Sequence, residues 1–167
     1  MANWQPCDGS FVAQAISENS TTQKVEIGRR IKCIDASVTG SLGIGEFVYL
    51  IGVASTAIGT AVIYDRYTGL TTRASANAKG PIAFAMAATV ASQYGWYQIF
   101  GNCAVKVLSG FASGNVPYLT ATAGSLDDTV VVGDEVYTAT SVSAINTPST
   151  GLALISCSYP FVSDASN

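Results

Sequence analysis

Histidine, the commonest general base and metal ligand of proteins, is absent from this chain. The side chains left to do chemistry are four cysteines, eleven carboxylates and eight basic groups, with the hydroxyls of serine, threonine and tyrosine. The cysteines are Cys7, Cys33, Cys103 and Cys157. None stands in a Cys-x-x-Cys pair, and no histidine can complete a mixed zinc site. A serine or cysteine nucleophile would need lysine or a carboxylate as its base, and no Gly-x-Ser-x-Gly context surrounds any serine. Gly40, Gly43 and Gly45 make one stretch glycine-rich, but no Gly-Lys-Ser/Thr follows and no helical pattern opens after it. That stretch reads as a surface loop. Asp127, Asp128, Asp134 and Glu135 form the one acidic cluster. Clustered oxygens can hold Ca²⁺, which takes about six to eight of them, yet adjacent aspartates at a strand boundary also simply mark a solvated turn, the reading preferred here. The aromatic set Tyr94, Trp96, Tyr97 and Phe100 could stack on sugars, with only Gln98 and Asn102 beside it to fix hydroxyls; core or subunit contact is the stronger reading. The expectation is a protein that is not an enzyme and holds no metal or cofactor.

Composition points the same way. Only 11% of residues are charged, against about a quarter in an ordinary soluble domain. Apolar residues make up 49%. A free monomer of this kind has few charges with which to keep its surface dispersed and patch-free, so much of that surface is expected to be covered by other protein. A net charge of −3 with scattered basic residues argues against a nucleic-acid partner. Arg29, Arg30 and Lys32 are the only local basic group and read as a solvent-facing strand edge. No run of about 18 apolar residues occurs; the nearest, residues 47–64, is broken by glycines and polar residues, so no membrane association is expected. The opening Met-Ala-Asn-Trp lacks a basic-then-apolar signal, which leads us to expect cytosolic synthesis, reduced and mostly buried thiols, and no glycan on the sequon at Asn19.

The elements that must position these groups are strands. Residues 1–22 are polar, aperiodic and dotted with Trp4, Phe11, Val12 and Ile16, and read as an extended arm that lies on a neighbouring subunit. Residues 23–167 read as a single β-rich domain. Alternation begins at Lys24, with Val25, Ile27, Ile31 and Cys33 on one face and Lys24, Glu26, Arg30 and Lys32 on the other. Residues 46–54 are apolar on both faces, as in a central strand. Residues 60–64 and 70–74 flank a hairpin turn with Gly69 at its late position. Ile82, Phe84, Met86 and Val90 mark another strand, and residues 96–107 return it. That return places Tyr97, Ile99, Cys103, Val105 and Val107 on one face, with Trp96, Gln98, Phe100, Asn102 and Lys106 on the other. Short strands at 116–122, 129–132, 135–139 and 151–159 follow, and Pro160 and Ser163-Asp164 are expected to end the sheet. The fold class is all-β, a small antiparallel barrel or sandwich with an extended N-terminal arm.

The succession Gly80-Pro81-Ile82-Ala83-Phe84-Ala85, then Gly95-Trp96-Tyr97-Gln98-Ile99-Phe100-Gly101-Asn102-Cys103, resembles the core of bacteriophage head decoration (capsid cement) proteins. Tyr118-Leu119-Thr120-Ala121, Val132-Gly133-Asp134-Glu135-Val136-Tyr137 and Thr150-Gly151-Leu152-Ala153-Leu154-Ile155 continue it, so the resemblance spans roughly residues 45–160. It implies a β-tulip-like module, made in the host bacterial cytoplasm, that sits on the outside of an icosahedral head as a homotrimer. The major capsid protein would be its partner, with a terminal arm reaching neighbouring subunits. On this reading Trp4, Phe11 and Val12 are arm anchors, and Trp96, Gln98 and Phe100 belong to a subunit-contact face. The alternative is a receptor- or carbohydrate-binding module of a phage tail, spike or capsid surface.

Overall fold

A computed structural model describes residues 2–7, 9 and 12–164, and among them every regular element is a strand. In chain order these are β1 (Trp4–Pro6), β2 (Asn19–Ser20), β3 (Arg30–Asp35), β4 (Ile44–Ile51), β5 (Ala61–Tyr64) and β6 (Thr71–Arg73). The second half holds β7 (Gly80–Ala85), β8 (Tyr94–Lys106), β9 (Tyr118–Leu119), β10 (Leu126–Asp127), β11 (Tyr137–Ser141) and β12 (Leu152–Val162). One antiparallel sheet runs β1-β3-β4-β8-β12-β7-β5-β6, with β11 on β12 and β2 on β8; β9 and β10 form a separate pair. The sheet curls strongly into a half-barrel, the all-β architecture expected from the sequence. β8 is its hub, because the first half lies between β4 and β7 and the second half lies beside β12. Across the mouth of the curl the Ile51 amide donates to the Gly69 carbonyl at 2.9 Å, tying the end of β4 to the start of β6.

Both faces of the central strands are covered, which is why β4 reads as an unbroken apolar run rather than an alternation. One face carries Val48, Leu50, Val62, Tyr64, Ala83, Ala85, Tyr97 and Ile99. The other is split between two covers. Phe47, Tyr49 and Trp96 pack under the N-terminal segment with Ile16, Val12 and Trp4. Ile82, Phe84, Cys103, Val105, Ala153 and Ile155 pack under Phe111, Leu119, Leu126 and Val136 from the last third of the chain. Two-sided burial accounts for part of the low charge count without any partner.

Several expected elements are moved or cut. The alternation from Lys24 is not one strand: Gly28, at φ +83°, turns the chain, and the Arg29 amide donates to the Glu26 carbonyl at 3.1 Å. The regular strand starts at Arg30, after the Gly28 amide and Arg29 carbonyl have bonded to Tyr49 of β4, and the Arg29 side chain finds Glu26 at 3.6 Å on the exposed side of that turn. The strand through Ile82 and Phe84 stops at Ala85, which leaves Met86 and Val90 outside it. Residues 129–132 form no strand, since Val130, Val131 and Val132 stand exposed in a turn closed by the Asp134 amide on the Val131 carbonyl. Pro160 does not end the sheet but Ser163-Asp164 does: β12 continues to Val162, and Tyr159 at φ +50° makes an irregular step just before the residue that lacks an N–H.

The largest change lies within β8. Glu46 faces Phe100, while the next residue, Phe47, faces Gln98, so β8 carries one residue more than its partner. Such a bulge reverses which side later residues point to. Tyr97 and Ile99 therefore pack in one cluster and Cys103 and Val105 in another, although all four share one parity in the sequence. Gly101 follows the bulge at φ +94°, and a Cβ there would lie 2.2 Å from the Ile44 carbonyl oxygen. Only glycine fits.

Candidate functional site

The N-terminal segment lies on its own chain. β1 pairs with β3, and Trp4 is half-buried edge-on against Phe47 at 4.9 Å between ring centres. Val12 packs into the same cluster. Phe11 lies outside the described residues. Gln14 fastens the strap: its side-chain amide donates to the Glu18 and Tyr94 carbonyls at 2.8 and 3.0 Å. Its side-chain oxygen accepts from the Tyr49 hydroxyl at 2.6 Å, and its main-chain carbonyl accepts from the Trp96 indole N–H at 2.9 Å. Trp4 and Val12 thus spend apolar surface at home that was expected to anchor in a neighbour. Trp96 and Gln98 are 0% and 1% exposed and present nothing to a partner. The Gln98 side-chain amide donates instead to the Phe100 and Asn102 carbonyls at 3.0 and 3.2 Å, bracing the bulge.

Of the aromatic set singled out in the sequence, Phe100 is the one that the bulge turns toward Glu46 and the open side of the sheet. There it meets rings the sequence did not flag. Phe100 and Tyr159 lie 5.7 Å apart between ring centres, and Tyr137 stacks on Phe161 at 5.1 Å and 23° between planes. Tyr159 and Phe161 are 44% and 42% exposed. The two ring pairs are joined through β12, only two residues apart along it. Between them and the start of β3 sits a polar anchor. The Tyr159 hydroxyl donates to Glu46 Oε2 at 2.8 Å, and Arg30 reaches Glu46 Oε1 at 3.8 Å while lying 5.8 Å from the Tyr159 ring centre. The hydrogen bond to Glu46 pushes the Tyr159 phenol above its ordinary value, with burial adding to the shift and Arg30 opposing it.

No family model, no curated protein and no solved structure matches this chain. Two ring pairs, one tilted and one stacked, each with one ring on β12, give an apolar contact area with little rotamer entropy to lose, and one guanidinium at its border fixes orientation. Tyr159 and Phe161 flank Pro160, and a proline expected to break the strand conceals that they share β12. The signal was present in the two aromatics flanking that proline.

The remaining candidates have local duties. Asp128 accepts from the Ala112 amide and the Asn115 side chain at 3.0 and 2.8 Å, and buried Asp134 accepts from the Asn77 amide at 2.7 Å. Among the described residues no group of three or more histidine, cysteine or acidic residues could hold a metal ion. The glycine-rich loop wraps Asp35, a buried carboxylate that accepts from the Asn3 and Ser37 amides and the Ser37 hydroxyl on Oδ1, and from the Leu42 amide on Oδ2. Two crevices of about 150 and 170 Å³ lie under the N-terminal strap, bordered by Val12 in both cases, too small for a drug-sized ligand.

Proposed function

We propose that this chain is a non-enzymatic decoration protein of a bacteriophage head, which binds the outer surface of the shell, bridges neighbouring major capsid subunits and does so as a homotrimer. The observation that carries the reading is the strip in which exposed Tyr159 and Phe161 lie against half-buried Phe100 and Tyr137, because exposed aromatics backed by further rings mark docking surfaces. A surface with only 11% charged residues in the chain supports it, as does the resemblance over residues 45–160. The mechanism is mass action. A protein that binds the assembled shell and not its separated subunits stabilises the shell by an amount set by affinity and free concentration. Repetition over the lattice lets a modest single contact hold through avidity. The Arg30–Glu46 pair would orient the strip while the rings supply the area.

The experiment is co-sedimentation with undecorated heads. A double variant, Tyr159→Ser with Phe161→Ser, is expected to lose about 30-fold or more in apparent affinity, the equivalent of one strong hot spot. Val38→Ser, a fully exposed position on the loop between β3 and β4, should bind like the parent. Unchanged sedimentation of the double variant would refute the strip as the contact. A second reading, glycan binding by the same rings, is favoured by one feature: Arg30 and Glu46 stand beside Tyr159, where they could hold hydroxyls. Glycan-array binding together with no association with heads would favour it over decoration.

A further inference from the structure

We propose that Cys103 and Cys157 are a redox pair that closes into a cross-strand disulfide between β8 and β12 when the protein meets a thiol-oxidising medium. Their sulfurs lie 3.1 Å apart, and both residues are buried in the apolar cluster beneath β9 and β10. An S–S bond is about 2.0 Å long, so closure asks for about 1 Å of sulfur movement. The register explains the approach. Cys103 stands opposite Ile155 and Cys157 opposite Gly101, which makes the two thiols diagonal neighbours on one face. Gly101 has no side chain to keep them apart, and the backbone there tolerates no other residue.

An entry route exists at the sheet's edge. Cys157 pairs with Ala139 of β11 beside the place where that ladder slips, and Thr138 in the slip adopts φ +61°. Fraying of β11 would uncover Cys157 before Cys103. With oxidised glutathione as the oxidant, the Cys157 thiolate attacks its disulfide and forms a mixed disulfide, releasing one glutathione thiolate. The Cys103 thiolate then attacks the Cys157 sulfur and displaces the second. The protein gives up two protons and two electrons, and one glutathione disulfide becomes two glutathione thiols. Burial pushes the Cys103 thiol well above its ordinary range, so the pair stays reduced in the closed core and reacts through opening. The bond would close a long loop, residues 103 to 157 being 54 apart, and pin the two longest strands together.

The test uses the full chain carrying Cys7→Ser, since Cys7 is exposed and would cross-link molecules. The protein is incubated with oxidised glutathione in sub-denaturing urea, then unfolded, alkylated and peptide-mapped. The expected result is two fewer alkylated thiols, a linked peptide pair containing Cys103 and Cys157, and a Tm raised by about 5–10 °C that dithiothreitol reverses. Adding Cys157→Ser should abolish the link and the shift; should that variant fail to fold, the peptide map of the parent decides alone. Full alkylation of both thiols after oxidation, a link through Cys33, or a lowered Tm in the linked form would each overturn the proposal.

Discussion

Replacing Asp35 by Asn should free the N-terminal strand from the sheet. The Asp35 carboxylate is buried and takes four hydrogen bonds: 2.8, 3.1 and 2.6 Å from the Asn3 amide, the Ser37 amide and the Ser37 hydroxyl on one oxygen, and 2.9 Å from the Leu42 amide on the other. Asparagine keeps one acceptor and turns a donor toward donors. Losing charge-assisted bonds and leaving a buried amide unmatched costs about 2–4 kcal/mol. At about 2–4 °C per kcal/mol for a chain of this size, the Tm should fall by about 4–16 °C. Acid should imitate the substitution. Burial raises the Asp35 pKa, but the bonds from Ser37, Leu42 and Asn3 outweigh it and hold it below 3.8. The unfolded chain therefore takes up the proton first as pH falls through that value. The contribution of Asp35 is complete above about pH 5 and drains away below 3.8 toward the lower native value. Thermal unfolding followed from pH 7 to pH 2.5, with tryptophan emission reporting the contact of Trp4 on Phe47, reads both effects. The parent and Asp35→Asn curves should converge in acid. Equal Tm at pH 7, or a gap that widens as pH falls, would refute the reasoning.

Gln14→Ala deprives the Tyr49 hydroxyl of its acceptor and the Glu18 and Tyr94 carbonyls of their donor; a loss of about 2–4 kcal/mol in urea unfolding is expected, and a value below about 0.5 would show the strap is held by apolar contacts alone. Gly101→Ala places a Cβ 2.2 Å from the Ile44 carbonyl at φ +94°. It should cost about 3 kcal/mol or more and yield insoluble protein on expression, whereas a soluble variant of parental stability would mean the bulge can relax.

The chain announced some of this and concealed the rest for identifiable reasons. β4 and the hairpin around Asp65 were legible because a doubly buried strand and a tight turn are written in contiguous residues; Asp65 accepts from the Tyr67 and Thr68 amides at 2.7 and 3.2 Å as that turn requires. β8 was found, but its facing was not. A single extra residue near Ile99 reverses every later side chain, and no local pattern records it. The strand expected from Lys24 failed at Gly28, a visible break that the alternation around it outweighed. Gln14, unmarked within a polar segment, is the clasp of the N-terminal segment, because polar residues with tertiary partners resemble solvated ones in sequence. For the candidate site, Phe100 was named and Tyr137, Tyr159 and Phe161 were not. Their assembly depends on β11 and β12 lying side by side across a proline-bearing bulge.

A cryo-electron microscopy map of heads incubated with the purified chain would show whether the chain coats the shell and which face of the sheet is covered. Density for the chain is expected on the outer shell, in threefold arrangement, with Tyr159 and Phe161 against the shell or an adjoining copy. Heads that remain bare at saturating protein, or bound copies whose aromatic strip faces open solvent, would contradict this reading.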